Sequence, residues 1–395
     1  MTVYLDHAAT TPLRDEARDA WLDAAARCGN ASSIHRAGQD ARRLLEESRE
    51  RLAAVLDCDA IEVVFTSGGT ESINTALKGF WWARAEGTDA LVLPDGEHHA
   101  TLDTVQWLHD HEGAPVRAVG LDAVGRIPAG AFADALPGAA LATALVANNE
   151  VGTINDAGAA SAAAAEAAVP LHLDAVAAFG HVPLSFREWR GDAHGQTGLC
   201  GLSVSAHKIG GPGGVGALVV SRHAAPTALL QGGGQQRSLR SGTQDVAGAA
   251  AFAVAAELAE AEREAESARL ATLRDRLVRG IHGCVDNAEL LGDPRDRLPG
   301  NAHVLFPDAL GETLLFLLDR ADVCASTGSA CQAGIPEPSH VVTAMGRSDA
   351  EARQVLRFTL GRTSTEGDVD ALLAVLPEAV ERARASSGPS SASHS

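Results

Sequence analysis

Lysine is almost missing from this chain of 395 residues. Of its 32 basic residues only Lys78 and Lys208 are lysine, and the other 30 are arginine. Tyrosine occurs once, at Tyr4, and methionine twice. Alanine and arginine are correspondingly abundant, which reads as coding bias and weakens any argument from scarcity alone. Chemistry still separates the two bases: a nitrogen that must lose its proton and attack carbon has to be lysine, because arginine does not deprotonate in proteins. Positive charge is also in deficit, 32 basic against 51 acidic residues, a net charge of −19. That excludes non-specific affinity for nucleic-acid backbones and leaves phosphate groups to be held locally by amides and hydroxyls. The six cysteines (Cys28, Cys58, Cys200, Cys284, Cys324, Cys331) form no CxxC pair and no zinc spacing, so no metal is expected. In a chain this long they point to a reducing compartment and mostly buried thiols. No apolar run reaches about 18 residues, so no membrane span is expected. "MTVYLDHAATTP" lacks the basic-then-apolar pattern of a signal peptide. A cytoplasmic protein is the expectation.

What is present alternates. Between about residues 14 and 250, helical stretches with 3.6-residue apolar spacing, such as 37–56, 72–87 and the alanine-rich 157–168, are interleaved with short apolar runs. The runs at 61–65, 90–94, 140–149, 170–175, 202–206 and 216–221 read as buried strands. This predicts an α/β domain with a mostly parallel sheet covered on both faces, its catalytic groups on loops at the carboxyl ends of the strands. Residues 251–280 read as one long helix leading to a second, smaller α+β domain, and the tail "SSGPSSASHS" reads as disordered.

Five stretches carry chemistry. In "IEVVFTSGGTES" a strand enters a loop holding Thr66, Ser67, Gly68, Gly69 and Thr70, followed by a helix opened by Glu71. Free N–H groups, hydroxyls and close-approaching glycines suit a phosphate; the competing reading is a capped strand-to-helix turn. The stretch is neither a Walker loop nor GxGxxG. "PLHLDAVAAFG" puts Asp174 at the end of an apolar strand, where a carboxylate needs a partner. It is either a helix N-cap or the group that keeps a heterocyclic nitrogen protonated. Lys208, 34 residues on in "SVSAHKIGGPGG", again follows a strand, with Ser205 and His207 beside it. A partly desolvated lysine there has a lowered pKa and can form a Schiff base, whereas the plain alternative is a surface lysine. In that order on an α/β domain, a phosphate cup, a strand-end aspartate and a lysine are what pyridoxal phosphate requires. His98 in "DGEHHAT" can stack on a ring, shuttle protons or simply pack. Last, "STGSACQAG" sets Cys331 in a Gly/Ser-rich loop, unlike Cys324 seven residues earlier on an apolar edge. A nucleophilic thiol must ionise and be reachable; the alternative is an inert loop thiol.

These stretches, with "YLDHAATTP", "NNEVGT", "GGGQQRSLRSGT", "EPSHV" and "LRFTLGRTSTEGDVDALL", run nearly end to end in the order in which the chain resembles the cysteine desulfurases. That group is the NifS/IscS-like branch of the class V aminotransferases. "GSAC" in a longer loop is similar to the members with a flexible catalytic loop rather than to the SufS-like group. The resemblance implies a pyridoxal-phosphate-dependent transferase fold of type I. Its large domain would span 14–255, and 1–13 with 256–385 would form the small domain carrying the cysteine loop, ahead of a disordered tail, 386–395. It implies that Lys208 holds pyridoxal 5'-phosphate, His98 stacks on its ring and Asp174 pairs with the pyridine nitrogen. Gly69, Thr70, Ser205 and His207 would bind its phosphate, with Thr243 reaching in from the partner subunit of a homodimer. Asn149 and Arg357 would hold the carboxylate of L-cysteine. Lys208 would remove the α-proton, with His98 a candidate proton donor or acceptor. Cys331 would take the sulfur as a persulfide, leaving alanine, and pass it to an acceptor protein: an iron–sulfur cluster assembly scaffold or a thiolation enzyme, such as one serving tRNA. Other readings on the same fold are a selenocysteine lyase, another class V enzyme or a catalytically weak scaffold partner. Cys331 favours desulfuration, since those reactions need no cysteine nucleophile.

Three departures stand out. Where the family has Asp-Ala-Thr-Gln this chain reads Asp174-Ala175-Val176-Ala177, so the glutamine that bonds the ring hydroxyl is absent. One lost hydrogen bond costs ~1 kcal/mol, enough to weaken or retune the cofactor without abolishing the site. Residues 187–198 look longer than usual, which would reshape the entrance or a partner surface. "GGGQQR" has glutamines where a His-Glu pair is common, a change without a physical account.

Overall fold

The computed structural model describes residues 2–328 and 337–386, so Cys331 and residues 387–395 lie outside the described residues. The alternating pattern becomes a seven-stranded sheet of β1 (Val63–Thr66), β2 (Leu91–Pro94), β3 (Val116–Val119), β4 (Leu141–Leu145), β5 (Pro170–Asp174), β6 (Gly198–Ser205) and β7 (Gly216–Val220). Across the sheet the order is β1-β7-β6-β5-β4-β2-β3. All neighbours are parallel except β7, which runs antiparallel to both β1 and β6. The other six strands therefore end on one edge of the sheet.

Alternation of side chains divides the strands between two faces. Val63, Phe65, Ala142, Ala144, Leu171, Leu173 and Val219 join one core with Leu45, Leu52, Leu56 and Phe252. Val64, Leu141, Leu218 and Val220 join another with Ile73, Leu77, Phe80 and Trp81. Both faces are thus covered, as parallel strands require, because their runs are apolar throughout.

The strand expected over 140–149 stops at Leu145. Asn148 Oδ1 accepts from the N–H groups of Glu150 and Val151, both at 2.9 Å, and this side-chain turn draws the backbone out of the ladder. The helix expected over 251–280 is longer, Val246–Cys284. It starts at Asp245, whose side chain accepts from the Gly248 N–H at 2.8 Å. Its 39 residues span about 58 Å, long enough to serve two cores. Phe252, Ala255 and Ala256 pack under the large sheet; Leu270, Leu273, Leu277 and Ile281 pack against Val304, Phe306, Leu356 and Phe358.

That second core lies beneath a three-stranded antiparallel sheet of Glu289–Leu291, Asn301–Leu305 and Val355–Thr359. Val3 and Leu5 also belong to it, and Val3–Tyr4 pairs in parallel with Val323–Cys324. The amino-terminal segment is therefore held by residues more than three hundred positions away, and it crosses the strand-end edge of the large sheet on the way. The last helix, Glu366–Ser386, reaches one residue into the expected tail.

Residues 187–198 form the short helix Phe186–Arg190 and a loop gathered on one guanidinium. Arg190 donates to the carbonyls of Leu199 (2.5 Å), Gly195 (2.8 Å), Ala193 (3.0 Å) and Thr197 (3.3 Å). The segment lines a shallow hollow against the Ala157–Glu166 helix, away from the cavity described next, so it does not reshape the entrance. No helix among the described residues is long and apolar enough to cross a membrane.

Candidate active site

The strand ends and the amino-terminal segment enclose a cavity of about 310 Å³. Its lining includes Lys208, Asp174, His98, Gly69, Thr70, Ser205, His207 and Asn149. Eight of the eleven residues singled out from sequence therefore converge on one space. Arg357 stands behind it, Thr243 is exposed outside it, and Cys331 lies outside the described residues.

Asp174 is the last residue of β5 and is buried; its Oδ1 accepts from the Val176 N–H at 2.9 Å. Burial pushes its carboxyl up to about 6, against the pull of that N–H and of Lys208. The folded chain thus takes up this proton at higher pH than the unfolded chain, whose value is 3.8. Burial of the group costs nothing below the lower value and its full amount above the higher one. At about 1.4 kcal/mol per unit the difference is about 3 kcal/mol. Asp174→Asn is therefore expected to stabilise the cofactor-free protein by about that amount above pH 6. The gain should fade as pH drops towards about 4, as urea unfolding at a series of pH values would show.

Lys208 sits in a 3₁₀ turn, Ala206–Lys208, just after β6. Its Nζ donates to the Ala8 carbonyl and, at 3.0 Å, to that of Ala9. Burial, with the Arg357 charge nearby, pulls the amine down to about 8, against the counter-pull of Asp6 and Asp174. A fraction of the amine is thus unprotonated at neutral pH. The carbonyl partners come from "YLDHAATTP", and nothing in the local sequence of Lys208 indicates them.

Gly69 opens the helix Gly69–Trp82, preceded by Gly68 at φ +151°. Two close approaches hold this turn. A Cβ on Gly216, at the start of β7, would lie 2.6 Å from Gly68 Cα, and one on Gly69 would lie 2.7 Å from Val176 Cγ2. The helix start, the exposed Thr70 and the buried Ser205 hydroxyl, which has no partner, are donors of the kind that suit an anion. Glu71 in the first turn is neutralised by Arg240 at 2.9 Å, a residue sequence reading missed. His207 Nδ1 pairs with Thr10 Oγ1 at 3.2 Å, and burial pulls it down to about 4, so it is neutral.

His98 caps the helix His99–Glu112, its Nδ1 accepting from the Ala100 N–H at 3.0 Å. Burial, with Lys208 beside it, pulls the ring down to about 4. A neutral ring that accepts at Nδ1 carries its hydrogen on Nε2. Arg357, 5% exposed, donates from Nη1 to the Asn149 carbonyl at 2.8 Å and from Nη2 to Asp6 Oδ1 at 2.9 Å. Its Nε and the Asn149 Oδ1 are buried without partners. The Asp6 pairing was also missed, although an acid in a loop of small residues is the kind of signal that could have raised it. Ala177 lines the cavity and offers nothing to a ring hydroxyl.

Pyridoxal phosphate fits this set. An unpartnered hydroxyl, a helix start, a buried carboxylate without an ion-pair partner and a desolvated lysine line one cavity. None of the five described thiols lines the cavity. Burial pushes Cys58 up to about 12 and Cys200 up to about 11, and raises Cys284 and Cys324 as well.

Comparison with known proteins agrees. The Aminotransferase class-V family model matches residues 3–372. The IscS-like cysteine desulfurase of Mycobacterium tuberculosis is 48% identical over 388 residues, covering 96% of this chain and 97% of its own. The cysteine desulfurase of Gluconacetobacter diazotrophicus is 40% identical over 385 residues, covering 97% and 94%. A solved NifS-like protein superposes with a TM-score of 0.87 at 30% identity, covering 97% of this chain and all of its own. Family model, relatives and fold coincide over nearly the whole length, and the chain belongs to the class V aminotransferases, in their NifS/IscS-like cysteine desulfurase branch.

Proposed function

We propose that the protein is a pyridoxal-phosphate-dependent cysteine desulfurase that converts L-cysteine to L-alanine and delivers the sulfur, as a persulfide on Cys331, to an acceptor protein. The observation that carries this reading is the convergence of Lys208, Asp174, His98 and the unpartnered Ser205 hydroxyl on one cavity. Lys208 would hold the cofactor aldehyde, Asp174 its ring nitrogen, and Gly69, Thr70, Ser205 and His207 its phosphate, with Thr243 from the partner of a homodimer completing the cup. When bound, the cofactor supplies an electron sink for the substrate's α-carbon.

The chain's own groups do the rest. Arg357, whose Nε–H has no partner, and the NH2 group of the Asn149 amide would hold the substrate carboxylate. Lys208 Nζ, pulled down to about 8, removes the α-proton. His98, neutral with its hydrogen on Nε2, would pack against the cofactor ring and offer a proton donor within the cavity. The Cys331 thiolate attacks the substrate sulfur. The new S–S bond forms as the C–S bond breaks, and the bonding pair stays with the carbon skeleton, which leaves as alanine after protonation.

We also read 14–255 as the cofactor-holding unit, and 1–13 with 256–385 as the unit bearing Cys331. The five described cysteines are all free, which supports a reducing, cytoplasmic setting. Reconstituted protein given L-cysteine and dithiothreitol should release alanine and sulfide one to one. Turnover of selenocysteine with L-cysteine untouched would overturn the assignment in favour of a lyase.

A further inference from the structure

Glu150 is a carboxylate buried to 1% exposure in the turn that follows β4. Burying such a group is unfavourable unless hydrogen bonds compensate it. Its backbone is fixed without help from the side chain. The N–H donates to Asn148 Oδ1 at 2.9 Å and the carbonyl accepts from Asn301 Nδ2 at 3.0 Å. The carboxylate is therefore free to do something else, and its partners show what.

Oε2 accepts from Ser339 Oγ, and Oε1 lies 3.8 Å from His340 Nδ1. Ser339 is itself placed by the helix His340–Ala344, whose Val342 N–H donates to its Oγ at 3.1 Å. His340 Nε2 pairs with the Glu97 carbonyl at 2.9 Å, and its ring meets that of His99 edge-on at 5.0 Å. This ties the same stretch to the turn that carries His98.

From the other direction comes Gly328, at φ +88°. A Cβ there would lie 3.4 Å from Glu150 Oε2 and 2.8 Å from Cε1 of His303. His303 is a fully buried ring whose two nitrogens have no partner. The Gly328 N–H donates to Ser326 Oγ at 3.0 Å, and Ser326 exchanges backbone hydrogen bonds with Arg357. Residues 328 and 339 flank Cys331 in the sequence. Ser339 is hydrogen-bonded to the carboxylate and Gly328 passes beside it, and Glu150 is one peptide bond from Asn149.

We propose that Glu150 is a positioning residue for sulfur transfer, its carboxylate bonded to one flank of the Cys331 stretch and packed beside the other, next to the Asn149 turn that would hold the substrate. The inference rests on the desulfurase reading above. A hydrogen bond to a carboxyl oxygen is directional, which an apolar residue filling the same space would not supply. Placing the two described flanks and the substrate's anchor about one side chain fixes where the Cys331 stretch leaves and rejoins the fold relative to the substrate. Rates depend steeply on that geometry, about 100-fold for a displacement of about 1 Å.

The test uses reconstituted holoenzyme and compares wild type with Glu150→Ala, Ser339→Ala and Ser339→Thr. Two readouts are followed after mixing with L-cysteine: the change in cofactor absorbance, and persulfide formation on Cys331 by alkylation and mass spectrometry. Glu150→Ala and Ser339→Ala are expected to keep the rate of the absorbance change and KM within about twofold. Their persulfide formation should fall about 10- to 100-fold, and Ser339→Thr, which keeps the hydroxyl, should restore it. Persulfide formation at the wild-type rate in Ser339→Ala and Glu150→Ala overturns the proposal. So does equal slowing of both readouts, because Glu150 would then act only by supporting Asn149. If Glu150→Ala does not fold, the serine pair decides alone. A wild type that shows no absorbance change or no persulfide contradicts the desulfurase reading itself; a wild type that shows both, with variants matching it, contradicts only the role of Glu150.

Discussion

Lys208→Ala, reconstituted with pyridoxal phosphate and desalted, is expected to be colourless and to release sulfide from L-cysteine at least about 1,000-fold more slowly than wild type. The size of the effect follows from two roles on one nitrogen. The amine anchors the cofactor aldehyde, and once the substrate displaces it, it is the base for the α-proton. Alanine supplies neither. Substitution by the other lysine is excluded by position. Lys78 lies on the Gly69–Trp82 helix with its Nζ 4.2 Å from the Trp107 ring centroid, and it does not line the cavity. Absorbance spectra of the desalted protein and sulfide release with dithiothreitol measure the two losses separately. A yellow Lys208→Ala protein would show that another group holds the aldehyde.

Cys331→Ser is expected to part these readouts. It should keep the yellow colour and the absorbance change on addition of L-cysteine, because it leaves the described cavity intact. Its sulfide release should fall by about 10⁴-fold or more, the scale of losing a covalent nucleophile. No other described thiol lines the cavity. Cys58 and Cys200 are buried and held protonated. Cys324 is raised by burial and by Asp319, Asp6 and Asp322. Undiminished sulfide release in the variant, measured colorimetrically, would move the sulfur chemistry elsewhere.

The residues legible in the sequence are those whose role shows in their immediate neighbours. Asp174 ends an apolar strand and Lys208 follows one, so the edge of the sheet that brings them together could be anticipated. Glycines and hydroxyls after β1 likewise announced a helix start suited to an anion. The contacts that could not be read join distant segments. The pairing of Arg357 with Asp6 spans 351 positions. The carbonyls of Ala8 and Ala9 meet Lys208 only because Val3 and Leu5 are anchored in the second core. Strand β3, with two exposed positions of four at the end of the sheet, lacks the apolar run that marked its neighbours. The direction of β7 is set by its turn after β6, and apolar content does not encode it. Residues 187–198 were legible as extra length, while their position away from the cavity depends on the carbonyls that Arg190 gathers.

The central claim is that sulfur leaves L-cysteine by way of Cys331. It is tested most directly by giving the reconstituted wild-type protein one equivalent of L-cysteine labelled at sulfur, without reductant, and analysing its peptides by mass spectrometry. The account predicts one labelled sulfur atom added to the peptide containing Cys331, in step with the alanine formed. Alanine formed while Cys331 stays unmodified, or label appearing on a different cysteine, would contradict it.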